Sequence, residues 1–197
     1  FGFNIIVFSI FLNWQSLTRG PLGIPGIPRP TLFGFQFSEN IYFFALAFVT
    51  LALVYGVCAF ITRSSFGRVL KAIREDEEAI SVFGYSTTYY KLAIFTISAM
   101  LAALAGSLFA SYITFIDPSS FALVESIFIL SIVILGGLSS NRGALLGALF
   151  LIVLPEALRF VGFSPDIAAQ MRQVTYGLIL ILLMLYRPQG LLGEYRM

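Results

Sequence analysis

The 197-residue chain contains no histidine, one cysteine and little charge. Histidine is the usual proton relay near neutrality and the commonest zinc ligand, so its absence removes both roles. Cys58 lies in an apolar run and has no second cysteine for an internal disulfide. It also has no base nearby in sequence. Metal-centred hydrolysis and histidine-based triads are therefore excluded, and a membrane enzyme is the weakest function class. No Gly-x-x-x-x-Gly-Lys-Ser/Thr sequence occurs, so the chain has no phosphate loop with which to power work itself. Charged residues make up 11% of the chain, against roughly 25% in a soluble domain. The net charge of +2 is too small to indicate nucleic acid.

Hydrophobic residues, by contrast, make up 58% of the chain, with a mean hydropathy of +0.92. The apolar runs are too long and too continuous for barrel strands, which alternate with a period of two. An all-α, polytopic transmembrane helical bundle is expected. Residues 41–61 are uncharged and form about 31 Å of helix, enough to cross a bilayer. Residues 92–116 form the longest uncharged stretch. Within it Ala99, Ala103, Ser107 and Ser111 form one row of small residues, and Ala102, Gly106 and Ala110 another. Such rows let helix backbones approach closely where lipid supplies no hydrophobic push. A third segment, 119–138, follows Asp117-Pro118 and ends in Gly136-Gly137. A fourth, 143–158, carries Gly143-x-x-x-Gly147 and is expected to break near Pro155-Glu156. After a short loop at 162–166, a final helix is expected over about 168–186, stopped by Arg187-Pro188.

The chain opens with an apolar run, 1–12, that is too short to span. It has neither the charged flank nor the small-residue cleavage site of a signal peptide. It reads as a truncated helix in the C-terminal part of a longer protein. About five complete spans plus this truncated one make a single domain, 1–197, holding a loop at 62–90. Alternating the spans puts Arg63, Arg68, Lys71, Arg74, Lys91, Arg142, Arg187 and Arg196 on one side. Arg19, Arg29, Arg159 and Arg172 fall on the other. The basic excess places the 62–90 loop and the C-terminus in the cytoplasm. The Gly/Pro-rich stretch GPLGIPGIPRP, 20–30, is then external, too broken for helix or strand.

That loop holds the most informative run, 66–84. It carries nearly a third of the chain's 12 Lys/Arg and 10 Asp/Glu: Arg68, Lys71 and Arg74, then Glu75, Asp76, Glu77 and Glu78. Phe66, Leu70, Ile73 and Ile80 recur as one face of an amphipathic helix would. Read as one helix, its bases lead and its acids trail, the wrong order for the helix macrodipole. Lys71/Glu75 and Arg74/Glu78 are spaced i,i+4 in the weaker orientation. Docking of the apolar face onto a soluble partner accounts for the pattern; a loop that only enforces topology is the plain alternative.

Three intramembrane features are further candidates. Glu125 lies about 9 Å of helix rise beyond Ser119, in an otherwise uncharged segment. Such an acid faces the bundle interior or water; it either lines a pathway, with Ser126 beside it, or makes a structural hydrogen bond. Gly136 and Gly137 mark either a broken pathway helix or a plain helix cap. Glu156 and Arg159, spaced i,i+3 at an external helix end, read as an interfacial pair or a contact for an external partner.

The run from Glu78-Ala79-Ile80 to Gly84 resembles the short cytoplasmic motif of ATP-binding-cassette importer permeases. The wider stretches GRVLKAIRED (67–76), LAIFTISA (92–99), Glu125-Ser126, IVILGG (132–137) and YRPQGLL (186–192) are similar, in this order, to the M-type permease subunit of branched-chain amino acid importers. TRGP (18–21) and GIPRP (26–30) fit the external loop of the same subunits. The resemblance implies a bacterial inner-membrane subunit that is not itself an enzyme and needs no cofactor, ATP being bound by partner subunits. It implies a second permease, two ATPase subunits, an external substrate-binding protein and membrane lipid as partners. It assigns Arg74, Glu75, Glu78, Ala79 and Gly84 to ATPase coupling, and Glu125, Ser126, Gly136 and Gly137 to the translocation pathway. Related permeases import urea and short amides, so substrate stays open between these. A secondary transporter or channel is the alternative of a different class.

Overall fold

In a hydrocarbon medium each backbone N–H and C=O must be satisfied within its own segment, so the long uncharged runs become helices. The computed structural model describes residues 2–32, 35–37, 39–137 and 140–159, together with Gly177 and Ile181. In chain order the helices are α1 (Gly2–Asn13), α2 (Gln15–Thr18), α3 (Asn40–Arg63), α4 (Ser65–Glu75), α5 (Glu77–Val82), α6 (Thr87–Ile113), α7 (Leu123–Gly136) and α8 (Asn141–Arg159). Four two-residue strands accompany them: β1 (Ile24–Pro25), β2 (Thr31–Leu32), β3 (Phe35–Gln36) and β4 (Phe115–Ile116). The all-α expectation holds.

The expected five spans are reached only in part. Among the described residues three segments are long and apolar enough to cross a membrane: Asn40–Arg63, Thr87–Ile113 and Pro118–Gly136. The fourth, 143–158, falls in α8, of which Asn141–Val153 is an apolar stretch among the described residues. Of the fifth, 168–186, only Gly177 and Ile181 are described, both helical, and the loop at 162–166 lies outside the described residues. Pro155 does not break α8, which continues to Arg159. A proline ring forfeits one N–H bond and crowds one carbonyl, a defect that membrane helices absorb locally.

The chain divides into two units, Thr18–Asp117 and the pair of segments Phe1–Leu17 and Pro118–Met197. In the first, α3 and α6 run antiparallel. Phe43 near the start of α3 meets Tyr112 near the end of α6, with ring centroids 5.3 Å apart. Beyond that end β1 pairs antiparallel with β4, Ile24 opposite Ile116. The backbone N–H groups of Gly26 and Ile27 both donate to the Thr114 carbonyl at 3.0 and 3.1 Å. Residues 20–30 are therefore not wholly irregular, as expected from their prolines: they hold a 3₁₀ turn, Gly20–Leu22, and one strand of a ladder. Pro25 is tolerated because a two-stranded ladder consists of edges. Thr114 caps α6 in the left-handed region at φ 58, an uncommon state for a β-branched residue.

In the second unit α7 and α8 pack as a hairpin through their backbones. Gly136, Gly143 and Gly147 are all buried. A Cβ on Gly136 would collide with the Gly143 carbonyl, and one on Gly143 with the Gly136 carbonyl. A Cβ on Gly147 would lie 2.5 Å from the Ile132 carbonyl oxygen. Around this seam Leu135 and Leu151 are 1% and 2% exposed. Ser131, buried on α7, donates its hydroxyl to the Ile127 carbonyl at 2.7 Å, which makes its burial affordable.

The small-residue rows of α6 behave differently. Ala99, Ala102, Ala103 and Ser107 are exposed, and a Cβ on Gly106 would meet nothing within 4 Å. A contrast follows. Gly143→Leu forces the α7–α8 backbones apart and is expected to destabilise the protein by at least the 1–3 kcal/mol typical of overpacking, ~3 kcal/mol or more. Gly106→Leu is expected to leave the fold of this segment unchanged. Thermal unfolding of both variants in detergent checks the difference; equal midpoints would contradict the hairpin's dependence on its glycines.

Candidate functional site

The charged run 66–84 lies on α4 and α5, and a single residue, Ser64, separates α4 from α3. Ser64, extended at φ −71 and ψ 169, closes α3 by donating to the Ile61 carbonyl at 2.6 Å. Its hydroxyl opens α4 by accepting from the Gly67 N–H at 3.2 Å. Gly67 is buried, and a Cβ there would collide with the Ile61 and Thr62 carbonyls, so glycine lets α4 fold back tightly against α3. On the apolar face of α4, Ile73 is buried and Phe66 stacks on Tyr90 of α6 at 5.2 Å.

Two expectations are corrected here. The first is continuity: the run is two helices, not one, separated at Asp76, which is extended at φ −153 and ψ 100. Aspartate favours caps over helix interiors, because its short carboxylate competes for nearby backbone N–H groups. Its Oδ1 accepts from the Ala79 N–H at 2.9 Å. The break also resolves the charge order. Arg74 now ends α4, and Glu77 and Glu78 begin α5, each favourable for its own macrodipole. Arg74 pairs with its neighbour Glu75 at 3.0 Å.

The second correction concerns the apolar face. Phe66 and Ile73 pack on this chain's own elements, not outward toward a partner. Outward-facing apolar surface lies instead at the end of α5, where Val82 is 85% and Phe83 77% exposed. Gly84 sets that end. It takes φ +84, its N–H donates to the Ser81 carbonyl, and the Tyr85 N–H donates to the Ile80 carbonyl. Both bonds satisfy helix-end carbonyls through a left-handed residue, which glycine adopts without strain. Arg74 and Glu75 thus end α4, Glu78 and Ala79 lie in α5, and Gly84 follows it.

A residue that sequence reasoning passed over joins this helix to α6. The Glu77 carboxylate accepts from Lys91 Nζ on both oxygens at 2.5 Å, and from the Thr87 hydroxyl at 3.1 Å. Thr87 and Lys91 stand four apart, on one face of α6. The Lys91 ammonium, then the Thr87 hydroxyl, hold the Glu77 carboxyl below its ordinary 4.5.

The intramembrane candidates do not form one cluster. Glu125 occupies the first turn of α7, where its charge suits the helix N-terminus. Ser126 beside it accepts from the Asn4 amide of α1 at 3.2 Å, and the Asn4 carbonyl oxygen is buried without a hydrogen-bond partner. Gly136 and Gly137 lie at the other end of α7, about 16 Å of rise away. Gly136 packs on Gly143, and Gly137 caps the helix at φ +104. The side chains of Glu156 and Arg159 lie outside the described residues.

Residues 1–185 match the family of branched-chain amino acid transport system permease components. The chain belongs to that family. It is 38% identical to the high-affinity branched-chain amino acid transport system permease proteins LivM of Salmonella typhimurium and Escherichia coli K12, over 99% of its length and 50% of theirs. It is 34% identical to the permease protein BraD of Pseudomonas aeruginosa, over 97% of the chain and 63% of that protein. No solved structure matches. The permease segment spans about half the length of the LivM proteins it matches.

The link between α5 and α6 has a pH signature. A carboxyl held below its ordinary value contributes its contact above about pH 4.5 and loses it as pH falls further. Spin labels at Val82 and Tyr89 are expected to give one narrow distance from neutrality down to about pH 4.5, broadening below that. Asp76→Ala removes the cap, worth about 1 kcal/mol, and is expected to broaden the distance at neutral pH. A distribution insensitive to both changes would contradict this account of what holds α5.

Proposed function

We propose that the protein carrying this segment is a membrane-spanning subunit of an ATP-driven importer of branched-chain amino acids. One observation carries the coupling part of the reading: a six-residue helix, α5, leaves Glu78, Val82 and Phe83 exposed while its neighbour α4 is packed tightly on the chain. A short exposed helix on a rigid base is suited to receive a soluble subunit and to be moved by it. ATP binding and hydrolysis belong to two partner ATPases, since this sequence has no phosphate loop. The names of the related LivM and BraD proteins favour branched-chain amino acids over urea or short amides.

In this reading α4, α5 and the C-terminus face the cytoplasm of a bacterial cell, with the protein multi-pass in its inner membrane. The loop 18–37 faces outward, toward an external binding protein. A second permease covers the exposed small-residue row of α6, where backbones can approach closely. Glu125 and Ser126 contribute polar groups to the pathway. Gly136 and Gly137 hold the opposite end of α7, and so set where that pathway helix stops. Closure of the ATPase pair pushes on α5, and the movement is passed to α3 and α6.

Glu78→Arg reverses a charge on the docking helix, and Gly84→Val penalises the left-handed cap and changes the direction of the chain. In the full-length protein with its partners, both variants are expected to reach the membrane at normal levels. Substrate uptake is expected to fall roughly tenfold or more, the effect of about 1.4 kcal/mol of interface energy. Membrane level, ATPase co-purification and uptake measured together check this; wild-type uptake in both variants would refute docking at α5.

The pathway assignment has its own test. With Cys58 replaced, Glu125→Cys is expected to react with a small water-soluble thiol reagent in at least one nucleotide state of the transporter. Protection in every state would remove Glu125 from the pathway.

A further inference from the structure

The tertiary hold on α5 is unusual in kind. None of its six side chains is buried, and it is joined to α4 by the single extended residue Asp76. By contrast α4 is fixed three ways: by Gly67 against the end of α3, by buried Ile73, and by Phe66 on Tyr90. Among the described residues, the side-chain hydrogen bonds from α5 to α6 come from the Glu77 carboxylate, which takes Lys91 on both oxygens and Thr87 on one. Thr87 begins α6, and Lys91 lies one turn further toward the span.

We propose that Glu77 is a positioning residue for coupling: its clasp on Lys91 and Thr87 passes movement of α5 directly to the start of α6, in parallel with the route through α4. This rests on the reading of α5 as the ATPase docking helix and extends it from where force enters to how it leaves. An exposed ion pair adds little to stability, so its consequence is geometric. The carboxylate sits at the first residue of α5, next to the hinge. A push on the far end, at Val82 and Phe83, therefore turns α5 about the clasp instead of sliding it along α6. The Thr87 hydroxyl, on one oxygen of the same carboxylate, adds a second anchor point one helical turn from the ammonium. With the clasp cut, α5 still has its caps and still offers Glu78 and the exposed apolar pair. The ATPase is then still bound, but its stroke is spent at the Asp76 hinge. Loss of Glu77 should uncouple hydrolysis from uptake, where loss of Glu78 should weaken docking.

The test uses the full-length permease assembled with its partners in proteoliposomes, reading ATP hydrolysis and substrate uptake on the same sample. Glu77→Lys and Lys91→Glu, each alone, are expected to keep ATPase co-purification and hydrolysis near wild type. Uptake per ATP should fall at least roughly fivefold in each. The double exchange, Glu77→Lys with Lys91→Glu, is expected to recover most of the loss, because the pair is restored with its ends reversed. Should either single reversal fail to reach the membrane, Glu77→Gln, which keeps a hydrogen-bond acceptor for Thr87, is read instead and is expected to give an intermediate ratio. A wild-type uptake-to-hydrolysis ratio in Glu77→Gln and in whichever reversals assemble overturns the clasp while leaving docking at α5 intact. Loss of ATPase co-purification in Glu77→Gln also overturns it, since the residue then serves docking. Absence of ATP-dependent uptake by the wild-type complex overturns the importer reading and the clasp together.

Discussion

The controlling constraint is that backbone polar groups have no water to turn to inside a bilayer. Each long apolar run therefore satisfies its own N–H and C=O groups as a helix, and the irregular backbone is concentrated at helix ends. At those ends the chain supplies the missing partners locally. The Ser64 hydroxyl serves the last turn of α3 and the first of α4. Asp76 starts α5, Gly84 ends it, and the Thr114 carbonyl beyond α6 takes the N–H groups of Gly26 and Ile27. Every feature with a functional reading in the charged run sits on one of these junctions.

Once helices are obligatory, lipid gives them little reason to associate, since its tails are as apolar as leucine. Close approach has to supply the attraction, and glycine makes it possible. At Gly67 it draws α4 onto the end of α3; at Gly136, Gly143 and Gly147 it brings two helices into backbone contact. Gly106 offers the same opportunity on α6, but its surroundings are open in this segment. Small residues that look alike in sequence thus divide into those already used within the chain and those available to another.

Much of this was legible from residue order. The lengths of the uncharged runs at 41–61 and 92–116 predict α3 and α6 closely, because a span needs a minimum number of residues and tolerates few charges. Gly84 after a short amphipathic stretch announces a helix end. The division at Asp76 was less visible, because the 3.6-residue period survives across it and periodicity alone does not register one extended residue. The direction of the apolar face was also hidden: amphipathicity shows that a face is covered, not by what. Only the fold-back permitted by Gly67 turns Phe66 and Ile73 inward. Glu77 escaped notice because its partners lie 10 and 14 residues away, beyond the reach of helix spacing rules.

The inward turn of α4 bears on how such a subunit is made. Its oily side is covered by the same polypeptide, so this part of the segment needs no soluble companion to hide it. A partner meeting this face finds little chain left to order on contact, with a correspondingly small entropic penalty. The most exposed apolar side chains at this junction are the neighbours Val82 and Phe83, at the end of a helix of under two turns. An exposed apolar surface of a few side chains gives stray proteins little to hold.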